Sequence, residues 1–301
     1  MLRPFFRALA FASLWAPGAA LFAAEAPCEA AVVFRSGSEA YDAAVSGIRQ
    51  ATAAGPCRIQ YVDLADPASD KMVAALATSQ ELVAAVGIGA CERFKEAGAG
   101  LRLLPALVLR NDLQACGARR AGAVYADVRL VTVLEHLHEL FPQKLRVGLI
   151  RRPATPTLDP GTLARVQQLG YRISTEPCSG PDKLLAAFSS LKGRADFVIA
   201  EPDAELYNSA TIKPLVLAAI DQRLPIVGFS AGFVRAGAML GVYPDFHDLG
   251  CQTGELIEQI LLGKGPSGET GPRKIETVFN PRITRLIGFA VVHIPGLEEI
   301  K

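Results

Sequence analysis

The chain has 301 residues, 50% of them hydrophobic, and its 31 basic and 30 acidic side chains leave a formal net charge of +1. That composition suits one large or two medium α/β units and excludes a disordered chain. With charge so balanced and no basic run interleaved with aromatics, nothing covers phosphates, so no nucleic acid partner is expected.

Along the chain, Arg3 and Arg7 precede an apolar stretch from Ala8 to Ala24, and small residues follow. This is the layout of a secretory signal peptide, assigned to residues 1–26 with cleavage between Ala23 and Ala26. A retained membrane anchor is the alternative, but Pro17 and Gly18 interrupt a segment already marginal in length for a span. An apolar run at Ala30 to Phe34 then opens a β-α-β-α alternation. A helix near Glu39 to Ala53 comes next, followed by a strand in RIQYVDL, a helix through Met72 to Thr78, a strand in LVAAVGIG, a short helix at Cys91 to Ala97 and a strand in LLPALVL. The pattern restarts after Pro142. Strands in LRVGLI, YRIST, ADFVIA and LPIVGF alternate with helices near Thr162 to Leu169, Asp182 to Leu191 and Thr211 to Gln222. Such an order predicts parallel sheets covered by helices, here two Rossmann-like lobes with ligands beyond the strands' carboxyl ends. The closing third carries a long amphipathic helix ending at Gly263, a late strand in KIETVFN and a short helix opened by Pro281.

Six cysteines in an exported chain are free to pair. Cys28 and Cys57 each precede a strand, and parallel neighbours would bring those strand starts together. Cys91 and Cys116 follow strands in a similar way. Disulfides Cys28–Cys57 and Cys91–Cys116 are therefore expected, with Cys178 and Cys251 unpaired.

Several motifs invite chemistry. Gly228 to Gly232 fits G-x-S-x-G, and Asp245 or Asp248 with His293 meets the order of a hydrolase triad behind Ser230. No His-Gly or Gly-Gly oxyanion segment follows an early strand, so a ligand or loop hydrogen bond is the expected role of this serine. Ser36 stands three positions before Glu39, a capping-box spacing. His136 and His138 lie two apart on a helix and point to nearly opposite faces, which argues against a metal. No P-loop and no dinucleotide fingerprint is present, so no cofactor is expected.

The stretch from LPIVGFSAGFVRAGAMLGVYPDFHDLG to LLGKGP, followed by KIETVFNPRITRLIGF, resembles the closing third of the ABC-transporter substrate-binding proteins of the type I periplasmic-binding fold, amino-acid-type branch. The resemblance rests on Arg235 to Leu240, Gly241-Val242-Tyr243, Asp248-Leu249-Gly250 with Gln252, Leu261 with Gly263, and Asn280 with Gly288. The amino-terminal lobe departs from the family. Gly37-Ser38-Glu39 stands where members carry Glu-His-Pro, and the Asp-Pro after the fourth strand is missing. The resemblance implies two α/β lobes, residues 27–125 plus 243–270 and residues 126–242 plus 271–301. Three hinge crossings join them, near Val124 to Asp127, Leu240 to Tyr243 and Gly268 to Lys274. It also implies a monomeric periplasmic binding protein, not an enzyme, that serves an ABC permease and ATPase in the inner membrane. A sensor lobe signalling to a receptor kinase and a secreted hydrolase using Ser230 are the alternatives. Strand-end geometry then gives the expected ligand contacts: Ser36, Ser38, Ala90, Cys91, Asp203, Ser230, Phe233 and Tyr243. Serine hydroxyls and helix-start amides suit a carboxylate and Asp203 an ammonium; the sequence places no lysine or arginine firmly at the cleft, Arg35 and Arg110 being the candidates. Together they suit a small amino-acid-like metabolite or another small zwitterion or carboxylate.

Overall fold

The computed structural model describes residues 28–79, 81–117, 120–143, 145–264, 268–289 and 298–300. The expected signal peptide and His293 lie outside the described residues. The first series runs β1 (Glu29–Phe34), α1 (Glu39–Thr52), β2 (Arg58–Asp63), α2 (Ser69–Thr78), β3 (Leu82–Val86), α3 (Ile88–Glu92) and β4 (Arg102–Val108), then a 3₁₀ helix (Arg110–Cys116) and β5 (Ala123–Tyr125). The second runs α4 (Leu130–Leu140), β6 (Arg146–Arg151), α5 (Pro160–Gln168), β7 (Arg172–Pro177), α6 (Leu184–Ser190), β8 (Phe197–Ile199), α7 (Ile212–Gln222), β9 (Ile226–Gly228), α8 (Ala231–Ala236) and β10 (Leu240–Pro244). α9 (Phe246–Leu261), β11 (Glu269–Thr270), β12 (Ile275–Phe279), α10 (Pro281–Ile287) and β13 (Glu298–Glu299) complete the chain.

Two sheets result, ordered β2-β1-β3-β4-β5-β11 and β7-β6-β8-β9-β10-β12-β13. Both are parallel except for the antiparallel pair of β10 and β12. The residues explain the positions: Ala30 to Phe34 and Leu82 to Val86 are continuous apolar runs, buried throughout, and they take the central places. β2 alternates in exposure and takes the edge.

The chain passes from the first sheet to the second after Tyr125, returns after Pro244 and crosses again between Thr270 and Ile275. The second passage differs from the expected crossing at Leu240 to Tyr243. Those residues form β10, parallel to β9 at Leu240 and Gly241 and paired antiparallel with β12 over their whole length. On its return the chain lays α9 against α1. The two helices meet almost backbone to backbone, because Gly47 and Gly250 remove the side chains between them. A Cβ on Gly47 would stand 2.0 Å from the His247 carbonyl oxygen, and one on Gly250 2.0 Å from that of Ala44.

The Cys28–Cys57 disulfide is present, with the two Cα atoms 4.7 Å apart beside the paired starts of β1 and β2. Cys91 and Cys116 are both free, which corrects the second expected disulfide. Each is buried in the apolar core under β3 and β4. The Cys91 thiol lies 3.9 Å from the Ala85 carbonyl oxygen and hydrogen-bonds with Cys116, and this hydrogen bond and burial push it above its ordinary pKa. A protonated, buried thiol is a poor nucleophile for disulfide formation.

Candidate functional site

In both sheets the chain order reverses at the first strand, between β1 and β3 in one and between β6 and β8 in the other. Such reversals leave a crevice beyond the carboxyl ends of the strands. Between the two sheets lies a cavity of about 770 Å³ whose lining includes Arg110 from the first lobe, Asp127 and Arg129 from the first crossing, and Arg151, Glu201 and Asp203 from the second lobe. A second cavity of about 470 Å³ adjoins it between the first and third crossings, lined also by Tyr125, Glu269 and Gly271. A small apolar recess under Val128, Phe229, Val242 and Tyr243 faces the same crossings.

The cavity's charges are organised in pairs. Arg151 closes β6 and grips both carboxylate oxygens of Glu201 at 2.5 and 2.8 Å. Its neighbour Arg152 reaches Asp203 at 2.6 Å and Glu205 at 2.7 Å. The other oxygen of Asp203 accepts the backbone N–H groups of Glu205 and Leu206, which fixes the turn after β8. Arg110 donates its backbone N–H to Asp127 at 3.0 Å, and its guanidinium binds the same carboxylate while lying 4.3 Å over the ring of Tyr125. Tyr125 also hydrogen-bonds with Glu269 and is pushed up to about 12, mainly by burial and then by that hydrogen bond. From the first lobe's 3₁₀ helix, Asp112 senses the charges of Asp203, Arg152 and Asp127. Its carboxyl is raised, first by burial and then by Asp203.

Of the expected contacts, Asp203 lines the large cavity and Tyr243 the apolar recess, where its ring stacks on Phe246 at 6.4 Å. Ser36 and Ser38 stand in the β1–α1 loop. Ser38, not Ser36, is the residue before the first helical turn, and its side chain makes no capping bond. The capping box is therefore absent: Ser36 donates its N–H to Asp63, and the Gly37 N–H goes to Asp42. Ser230 is half-buried and caps α8, its hydroxyl accepting the Phe233 N–H at 3.1 Å. Ala90, Cys91 and Phe233 are not at the cleft surface. Ala90 and Cys91 face the first lobe's core, and Phe233 folds under β9 against Tyr207 and Phe229. The triad order is likewise dispersed: Asp245 caps α9 and pairs with Lys274 at 2.6 Å, while Asp248 pairs with Arg273. His136 hydrogen-bonds Thr277 at 2.8 Å, and His138 lies edge-on to Tyr171.

Arg129, Arg151, Glu201 and Asp127 were not among the expected contacts. The signal available for them was the one that singled out Asp203, a charged residue at or just past a strand's carboxyl end. Arg151 ends β6 and Asp127 follows β5 by two positions.

Two parallel-dominated α/β lobes, crossed three times and open to each other at their strand ends, are the type I periplasmic binding protein fold. Residues 165–281 match the family model described as ABC transporter substrate binding protein. A curated "Tyrosine-binding protein" from Clostridioides difficile (strain R20291) is 24% identical over 177 residues, which is 56% of this chain; the match spans about half the length of that relative. Among solved structures, a ligand-free, open substrate-binding protein with adhesive properties from Clostridium difficile aligns with a TM-score of 0.67 at 17% identity, over 91% of this chain and 99% of its own. An ABC domain in complex with L-Trp from Streptococcus pneumonia gives 0.59 at 17% identity, over 91% of this chain and 100% of its own. The solved structures share the two-lobed fold, and over residues 165–281 the chain is similar to the ABC-transporter substrate-binding proteins.

Proposed function

We propose that the protein captures a small amino-acid-like metabolite between its lobes and presents it to an ABC permease and its ATPase in the inner membrane, working in the periplasm as a monomer. The observation that carries this reading is the cavity between the strand ends, lined from both lobes and from the first crossing. A ligand that touches both lobes only when they are closed shifts the hinge equilibrium by its differential affinity. Residues 27–125 with 245–270 would move against residues 126–244 with 271–301. The carboxylates of Glu201 and Asp203 suit a ligand ammonium, and the recess at Val128, Phe229 and Tyr243 suits an apolar or ring-shaped side chain. The lobes also touch where Glu39 in the first turn of α1 meets Arg235 of α8 at 3.4 Å. The names of the matched proteins put L-tyrosine and L-tryptophan first among ligands to test.

A thermal-shift screen against the L-amino acids, sugars and small carboxylates tests the reading. A ligand at a hundred times its dissociation constant adds about 2.7 kcal/mol to stability. At least one amino acid should stabilise the protein to that degree. Stabilisation by sugars alone would overturn the proposal.

A further inference from the structure

Most arginines of the large cavity are already held by acids. Arg110 is held by Asp127, Arg151 by Glu201, and Arg165 by Glu135, while Arg152 just behind the lining is held by Asp203 and Glu205. Arg129 has no ion-pair or hydrogen-bond partner for its side chain among the described residues, and it is exposed. It lines both adjoining cavities, as do Arg110 and Asp127. Its base is fixed: the Arg129 carbonyl accepts the Val133 N–H at 3.1 Å, the first hydrogen bond of α4. A fixed base with an unengaged planar cation is an arrangement that takes a carboxylate with two parallel hydrogen bonds.

Its place in the chain adds a second reason. Arg129 stands in the first crossing, two residues after Asp127, on a segment attached to both lobes. From there it reaches a ligand however the lobes are disposed. The other basic side chains would have to leave a carboxylate partner to do the same.

We infer that Arg129 is the anion anchor of the cleft, binding the free carboxylate of an amino-acid ligand whose ammonium faces Glu201 and Asp203. This deepens the proposed function and rests on it. It assigns carboxylate recognition to the crossing rather than to the serines of the strand-end loops.

The test begins with the amino acid that stabilises the wild-type protein most, followed by calorimetric titration with that amino acid and with its carboxamide, in wild type, Arg129→Ala and Arg129→Lys. A charge-assisted pair of this kind corresponds to about tenfold to a hundredfold in affinity. Wild type should bind the acid more tightly than the amide by that factor. Arg129→Ala should lose affinity for the acid to a similar extent and discriminate little between acid and amide, and Arg129→Lys should keep part of the preference. Unchanged urea midpoints for the variants place the loss in binding rather than folding. An Arg129→Ala protein that binds the acid as tightly as wild type, or keeps the full acid-over-amide preference, overturns the assignment and leaves the capture reading standing. If no amino acid or carboxylate binds wild type, both fall.

Discussion

Replacing Gly87 with alanine tests how the β3–α3 loop of the first lobe is built. Gly87 ends the β3 turn with φ 82° and ψ 160°, a backbone region that is essentially restricted to glycine. A side chain there costs about 1–3 kcal/mol for the conformation alone. The new Cβ would also lie 2.5 Å from both Cζ and Oη of Tyr41, which reaches over from α1. Overpacking of this kind costs about 1–3 kcal/mol more. Gly87→Ala should therefore lose about 2–6 kcal/mol in urea unfolding followed by circular dichroism. Tyr41→Ala clears the space, so in the double variant the steric part should vanish and the backbone part remain, a coupling above about 1 kcal/mol. The loop also carries the carbonyl that accepts the Ala90 and Cys91 N–H groups at 3.2 Å, so the start of α3 depends on the same conformation. A Gly87→Ala loss below about 0.5 kcal/mol, or strict additivity with Tyr41→Ala, would refute this account of the loop.

Further outcomes are expected elsewhere. Replacing Cys28 and Cys57 with serine opens a loop with a sequence separation of 29 and should cost about 3–4 kcal/mol by loop entropy, measured in the same assay. Non-reducing peptide mapping should recover Cys91 and Cys116 as free thiols once the protein is unfolded in alkylating reagent; a peptide joining them would contradict the core geometry. Asp63 is held below the ordinary carboxylate range, first by the Ser36 hydroxyl and then by backbone N–H groups of Ala65 and Ser36. A depressed carboxyl stabilises the fold above its unfolded pKa and loses that contribution as pH falls through its folded pKa. Acid titration of stability should thus be shallower in Asp63→Asn, and an identical acid limb would show the contact to be without effect. Ser230 caps a helix, so a fluorophosphonate probe should leave it unlabelled, while Ser230→Ala should lose about 0.5–2 kcal/mol of stability.

The element order was legible because apolar runs of strand length alternate with helical stretches, and central strands such as Leu82 to Val86 read as unbroken apolar segments. The disulfide was legible for the same reason, since parallel neighbours bring Cys28 and Cys57 together. β10 was not. Leu240 to Tyr243 becomes a strand by pairing with Ile275 to Phe279, which arrives more than thirty residues later, and no local pattern announces that partner. Phe233 looked available to a ligand from its place after the G-x-S-x-G turn. The first turn of α8 instead folds it inward against Tyr207, a residue from a different crossover. The cavity's charges were hardest to read. Arg151 and Glu201 are fifty positions apart, as Arg146 and Asp196 are, and which arginines are engaged follows only from the folded pairing. For that reason Arg110 could be named from the sequence, whereas among the described residues Arg129 is the cavity arginine without an ion-pair partner.

Small-angle X-ray scattering of the protein alone and saturated with the amino acid that stabilises it most tests the central claim directly. Capture between two hinged lobes predicts a smaller radius of gyration and a shorter maximum dimension on binding. A scattering profile that does not change while the ligand is bound at stoichiometric occupancy would contradict closure around the cleft.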